Sequence, residues 1–261
     1  MLKLVQKIAH IALFSVGAFA ALLIFSSAAW ASESSKALSF DASTSAVEVV
    51  TIYETSFSTQ KSLVTALKSS SKLLKKAPGF AGFSMLRSQD RKQMITLSQW
   101  QDLSSYKAYN TPIVDSSLSA SKQPTSTPTP THIKIFELTK AQASIANAIP
   151  AFRGKEAVVQ FIKLMPNSAD DQGKLLEQIE VIIPDLLQKQ PIPQSALLFK
   201  GIDNNEIILM LNWNCSVMFE DLGKPSAIAF DDNLVLSDID QQFYDVIKIM
   251  PAEVKETRDE D

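Results

Sequence analysis

Two tryptophans, Trp100 and Trp213, stand in matching frames, and no other feature of the 261 residues constrains the fold as much. Each closes an apolar run, and each lies 22 residues after a proline, Pro78 or Pro191. At their offset of 113, Lys61 meets Lys174, Leu63 meets Leu176, Leu74 meets Leu187 and Ile95 meets Ile208. Near the end the offset slips by one, so that Ile133, Lys134 and Ile135 face Ile247, Lys248 and Ile249. A common register of this kind, with the same order of apolar and polar runs around it, is the mark of an internal duplication.

The repeats begin after a separate N-terminal segment. Lys3 and Lys7 precede an apolar stretch from Ile8 to Ala29, which ends in Ala29-Trp30-Ala31. This is the pattern of a secretory signal cleaved after Ala31, and it predicts a periplasmic or secreted protein. An uncleaved anchor is the alternative, because the stretch is long enough to cross ~30 Å of hydrocarbon. On that alternative the membrane is a partner through the N-terminal segment alone. No cysteine lies near the cleavage point to carry a lipid, and the single Cys215 cannot form an internal disulfide. The formal net charge is −3, without the basic excess that phosphate neutralisation demands, so nucleic acid is excluded as a partner.

Residues 32–46 are rich in Ser, Ala and Thr without an apolar period and read as a flexible leader; residues 252–261 read as a solvated acidic tail. Between them the period alternates between two and 3.6. Val47, Val49, Thr51 and Tyr53 alternate with Glu48, Val50, Ile52 and Glu54, a strand packed on both faces. A helix is expected over 59–76, with Thr59 as N-cap and Pro78-Gly79 as its stop. Strands 80–89 and 92–101 follow around Asp90-Arg91, then a helix over 103–110. A Ser/Thr/Pro-rich insert at about 112–131 leads into a strand over 132–138. The second half repeats the order: strand 157–165, helix 169–190 kinked at Pro184, strands 195–200 and 206–214, helix 216–222 and strand 243–250. The expected fold is α+β: two ferredoxin-like β-α-β-β-α-β repeats, 47–139 and 156–251, forming an intramolecular dimeric α/β barrel. The chain is then a monomer with an internal pseudo-dimer, or a weak homodimer.

Ala77-Pro78-Gly79-Phe80-Ala81-Gly82-Phe83, then Ile95-Thr96-Leu97-Ser98-Gln99-Trp100, then Ser105-Tyr106-Lys107-Ala108-Tyr109 carry a resemblance. Over residues 47–138 the chain resembles the antibiotic biosynthesis monooxygenase domain of the dimeric α/β-barrel superfamily. The second half shares the layout and Trp213, but Pro191-Ile192-Pro193 lacks the Gly-Phe and looks like a diverged copy. The resemblance implies an enzyme without metal, flavin or other cofactor. A quinol or polycyclic aromatic, bound in an apolar pocket between sheet and helices, would react directly with dioxygen. The protein binds, orients and helps to deprotonate it.

In the polyketide oxygenases of that family the Trp is accompanied by an Asn four residues earlier and a Tyr six later. Here those positions hold Thr96 and Tyr106, so the resemblance makes Trp100, Tyr106 and Thr96 the candidate catalytic residues. The second half has Leu209, Trp213 and Phe219 there, so potential chemistry is confined to the first half. Haem-degrading relatives need a His about ten residues after the Trp and an Asn on the first strand. Asn110 and Tyr53 occupy those places, which disfavours haem cleavage and leaves both as candidate substrate-binding residues. Arg87 could join them by holding a phenolate, although Lys200 at the repeat position points to a shared structural charge. Both tryptophans also fit a purely structural part as core aromatics. One His after the signal, His132, and one Cys cannot make a His/Cys metal centre, and no G-x-S-x-G motif supports triad hydrolysis. Cys215 reads as an inert buried thiol. The alternative function is a non-catalytic binding protein for a small apolar or aromatic ligand; a weaker third reading is a partner-binding module tethered by the Ser/Thr/Pro segment.

Overall fold

The computed structural model describes residues 37–110, 128–154, 156–230 and 236–251. The expected signal, most of the Ser/Thr/Pro insert and the acidic tail lie outside them. The elements are β1 (Ala37–Ser39), β2 (Val47–Glu54), α1 (Gln60–Leu74), β3 (Phe80–Ser88), β4 (Gln93–Trp100), α2 (Leu103–Asn110), β5 (His132–Ala143), β6 (Ala151–Arg153), β7 (Val158–Pro166), α3 (Ala169–Leu186), β8 (Ser195–Gly201), β9 (Ile207–Trp213), α4 (Met218–Leu222) and β10 (Leu236–Pro251).

Eight strands close into a barrel in the order β10-β3-β4-β2-β5-β8-β9-β7, all neighbours antiparallel. Closure depends on two long strands. β5 pairs with β2 over residues 132–137 and with β8 over 136–143, with an irregularity between Leu138 and Lys140 inside the second pairing. β10 pairs with β7 over residues 236–245 and with β3 over 244–251, with an irregularity between Val246 and Lys248 inside the second pairing. These seams make β5 and β10 longer than the 132–138 and 243–250 expected, because the added residues belong to a strand that changes partners. Bulges bend a strand and increase its twist, which a closing sheet requires.

Alternation sorts the side chains into two layers. Val50, Leu86, Ile95, Leu97, Phe136, Phe161, Phe199 and Met210 are among those that fill the interior. On the outer face α3 covers Ile162, Leu164, Leu198, Leu209 and Trp213 through Leu175, Ile179 and Ile183. In the first half Leu67 of α1 packs on Phe83, Met85 and Met94. Helix ends follow local chemistry. Ser168 caps α3 by accepting from the Asp171 amide at 3.1 Å, whereas the Thr59 hydroxyl accepts from the Ser56 amide at 3.0 Å and makes no bond into α1. Pro184 lies in the last turn of α3, which ends at Leu186 rather than Gln190.

Within the stretch read as a flexible leader, Leu38 and Phe40 pack into the barrel's interior cluster, while residues 41–45 are exposed. β1 pairs with β6, and the Phe40 amide donates to the Pro150 carbonyl at 2.9 Å. Leu38 and Phe40 are 2 % and 1 % exposed within the interior cluster, with Phe40 edge-on to Phe152 at 4.9 Å. The plug lies so close to β3 that a Cβ on Gly82 would fall 2.3 Å from Leu38 Cδ1, so a side chain there would have to displace the end of Leu38. Composition hid this because the apolar residues, Leu38 and Phe40, are two among many small polar ones.

Register also corrects the terminal alignment of the halves. Val49 faces Ile135, while its counterpart Gln160 faces Phe243. Ile135 therefore corresponds to Phe243, six residues before the Ile249 that the Ile-Lys-Ile recurrence selects. The corrected alignment pairs Glu137 with Asp245, and these two carboxylates form equivalent bridges across the seams: Asp245 to Arg87 at 3.0 Å and Glu137 to Lys200 at 3.3 Å.

Candidate functional site

Alternation along β2 and β4 turns Thr51, Tyr53, Met94, Thr96, Ser98 and Trp100 toward the helices. Their rows are fixed by pairing: Trp100 opposite Val47, Ser98 opposite Val49, Thr96 opposite Thr51 and Met94 opposite Tyr53. On the next strand Met85 faces Thr96 and Arg87 faces Met94.

Trp100 closes one end of this layer. It is 1 % exposed, donates from Nε1 to Ser98 Oγ at 3.1 Å, and is surrounded by Phe80, Tyr106 and Tyr109 with ring centroids 5.8, 5.7 and 5.1 Å away. Its position is set by Gly79, whose positive φ of 76° turns the chain and whose carbonyl receives the Gln101 amide. Trp213 has the same surroundings in outline, packed on Phe219 and Phe243, but its Nε1 donates to the Pro191 carbonyl at 2.9 Å.

The two halves differ in the middle of the layer. Thr96 is the diagonal neighbour of Tyr53 across the β2–β4 pair. Burial raises the Tyr53 phenol above its ordinary range, partly offset by the Thr96 hydroxyl, and burial likewise raises Tyr106 and Tyr109. The corresponding rows of the second half pair Leu209 with Ile162 and Ile207 with Leu164. Ile162, Leu164 and Leu209 are all 0 % exposed, whereas Thr51 and Tyr53 are only half-buried. The second half is closed further by the segment around Ile228, whose amide and carbonyl are both held by the Gln241 side chain at 3.0 and 2.9 Å.

Of the six candidates, Tyr53, Thr96, Trp100 and Tyr106 thus share one face. Arg87 is on that face but its guanidinium is engaged by Asp245 across the seam, with its Nε buried and unpartnered. Asn110 is exposed at the end of α2, away from the Tyr53 and Thr96 row. His132 is exposed at the start of β5, and Cys215 is half-buried rather than buried. Thr51 and Ser98 were missed by the motif comparison; the period-two pattern of β2 and β4 was the signal that would have found them. Among the described residues no three His, Cys, Asp or Glu side chains gather as metal ligands, and no helix is long and apolar enough to cross a membrane.

The architecture defines a mixed α+β, eight-stranded closed barrel. Among solved structures it is similar to an anthrone oxidase-like protein, with a TM-score of 0.59, 15 % identity, and 84 % of this chain and 98 % of the other covered. It is also similar to a candidate monooxygenase from Fusobacterium nucleatum subsp. nucleatum, with a TM-score of 0.53, 12 % identity, and 80 % and 95 % covered. At such identities the likeness establishes a monooxygenase-like fold and leaves activity to the site. No family model matches the chain. No curated protein matches its sequence.

Proposed function

We propose that the chain is an exported, tandem antibiotic biosynthesis monooxygenase-like protein that oxidises a quinol-like or polycyclic aromatic compound with dioxygen and no cofactor, using the first half alone. The carrying observation is the half-buried pair Thr51 and Tyr53 beside the buried Thr96 hydroxyl, set against the sealed Ile162, Leu164 and Leu209 of the second half. A planar phenol bound against this row would meet aliphatic and aromatic side chains along its rings and hydroxyls at one oxygen. Two ferredoxin-like units joined through β5 and β10 account for the closed barrel, and the similar solved structures support the oxygenase class. Export rests on the N-terminal signal pattern, with a retained anchor as its alternative.

The chemistry asked of the protein is to bind the ionised phenol and hold it for reaction with oxygen. Thr96 and Tyr53 donate to the phenolate oxygen and stabilise it, while Trp100 and Tyr106 wall the ring. With menadiol or an anthrone, oxygen uptake should exceed autoxidation. Tyr53→Phe combined with Thr96→Val should lower that rate about 10- to 100-fold, the worth of hydrogen bonds to a charged acceptor. A rate in the double variant equal to that of the unaltered protein would remove these residues from the site.

One observation favours the second reading, a binding protein without turnover. Burial makes the Tyr53 and Tyr106 phenols hold their protons more tightly, and the Asp245 carboxylate is paired with Arg87, so the phenols of this face are poor proton acceptors. Saturable binding of menadione with no oxygen uptake from menadiol would establish it.

A further inference from the structure

Between Glu54 and Asp90 the chain contains no carboxylate, although the whole protein has net charge −3. That interval carries Lys61, Lys68, Lys72, Lys75 and Lys76, all exposed. Lys61, Lys68 and Lys72 recur at helical spacing along the solvent side of α1, with Thr65 in the intervening turn, so the charges form a stripe about 16 Å long at 1.5 Å per residue. Among the described residues no salt bridge engages Lys61, Lys68, Lys72 or Lys76. Lys248 of β10 joins the stripe from the side, donating to Ser71 Oγ at 2.7 Å. Burial, and then the charges of Lys68, Lys72 and Lys75, lower its ammonium below the ordinary lysine range. Like charges packed without acids are unfavourable in isolation, and an anionic surface relieves the repulsion.

We propose that the outer face of α1 docks on an anionic phospholipid surface. Two apolar side chains favour lipid over nucleic acid or an acidic protein: Leu73, 55 % exposed between Lys72 and Lys75, and Phe57, 81 % exposed just before the helix. Lysines flanked by protruding hydrocarbon match an interface in which headgroups take the charge and the acyl boundary takes the side chains. Lysine is a point charge without the bidentate geometry of arginine, which fits diffuse headgroup charge rather than a defined partner. The remaining surface is net negative and is repelled by the same membrane, so α1 is turned toward it.

The test is flotation of the full chain with vesicles of phosphatidylcholine, alone or with phosphatidylglycerol. The N-terminal apolar segment can bind either vesicle, so the readout is the preference for phosphatidylglycerol, compared between the unaltered chain and Lys61→Gln/Lys68→Gln/Lys72→Gln/Lys76→Gln. Each lysine is expected to contribute about fivefold, so the preference should fall about 100-fold or more in the fourfold variant, and in the unaltered chain it should decline with added salt. These residues are exposed, and unchanged circular dichroism and thermal melting will show that the variant is folded. An unchanged preference in the folded variant overturns the proposal, as does displacement from the vesicles by duplex DNA at equal phosphate concentration.

Discussion

Phe40→Ala is expected to destabilise the protein by about 3–5 kcal/mol, the cost of deleting a fully buried phenylalanine. Phe40 is 1 % exposed, edge-on to Phe152 at 4.9 Å and to Phe199 at 6.3 Å, so truncation leaves a cavity at the end of a closed barrel. Strands on every side are paired, and the wall cannot collapse into that space without breaking ladder hydrogen bonds. Chemical unfolding followed by tryptophan fluorescence measures the loss. A change below about 1 kcal/mol would mean that residues 37–40 are a dispensable leader after all.

Glu48→Gln is expected to stabilise the protein at alkaline pH and to flatten its pH profile. Glu48 points into the barrel beside the plug, 1 % exposed. One oxygen accepts from Gln99 Nε2 at 2.8 Å, and the other has no partner. Burial pushes its carboxyl up from 4.5 to about 8, against the smaller opposing pull of the Gln99 bond. Because the folded protein holds the proton more tightly than the unfolded chain, this contribution to stability is fully present below pH 4.5 and is lost as pH rises to about 8. Over that interval the unaltered protein should lose about 1.4 kcal/mol per pH unit, on the order of 4 kcal/mol in all, relative to the glutamine variant. Urea unfolding at pH 5, 6.5 and 8 gives the comparison. Parallel pH profiles for the two proteins would place a charged, hydrated carboxylate at this position.

The fold was legible where local chemistry decides it. Periods of two and 3.6, Pro78-Gly79 and the paired tryptophans locate the helices and the other barrel strands to within a few residues, but not the far ends of β5 and β10. What was not legible depends on distant partners. Nothing local tells Leu38 and Phe40 that a barrel end awaits them, and nothing in β10 marks where it leaves β7 for β3. The recurrence of Ile-Lys-Ile at 133–135 and 247–249 also set the last strands six residues out of register, hiding the equivalence of Glu137 and Asp245 and with it the partner of Arg87. For the site, the motif spacing named Thr96, Trp100 and Tyr106. That Tyr53 would meet Thr96 needed the β2–β4 register, because the two residues are far apart in sequence and belong to different motifs.

The central claim, that a planar aromatic binds in the first half between sheet and helices, is tested most directly by methionine-methyl NMR during titration with menadione. Met85 faces Thr96 and Met94 faces Tyr53, Met210 lies inside the barrel, and Met218 packs over the second half. Saturable shifts of the Met85 and Met94 methyls, with Met210 and Met218 unmoved, are the predicted result. Shifts confined to Met210 or Met218, or none at ligand saturation of the solution, would contradict it.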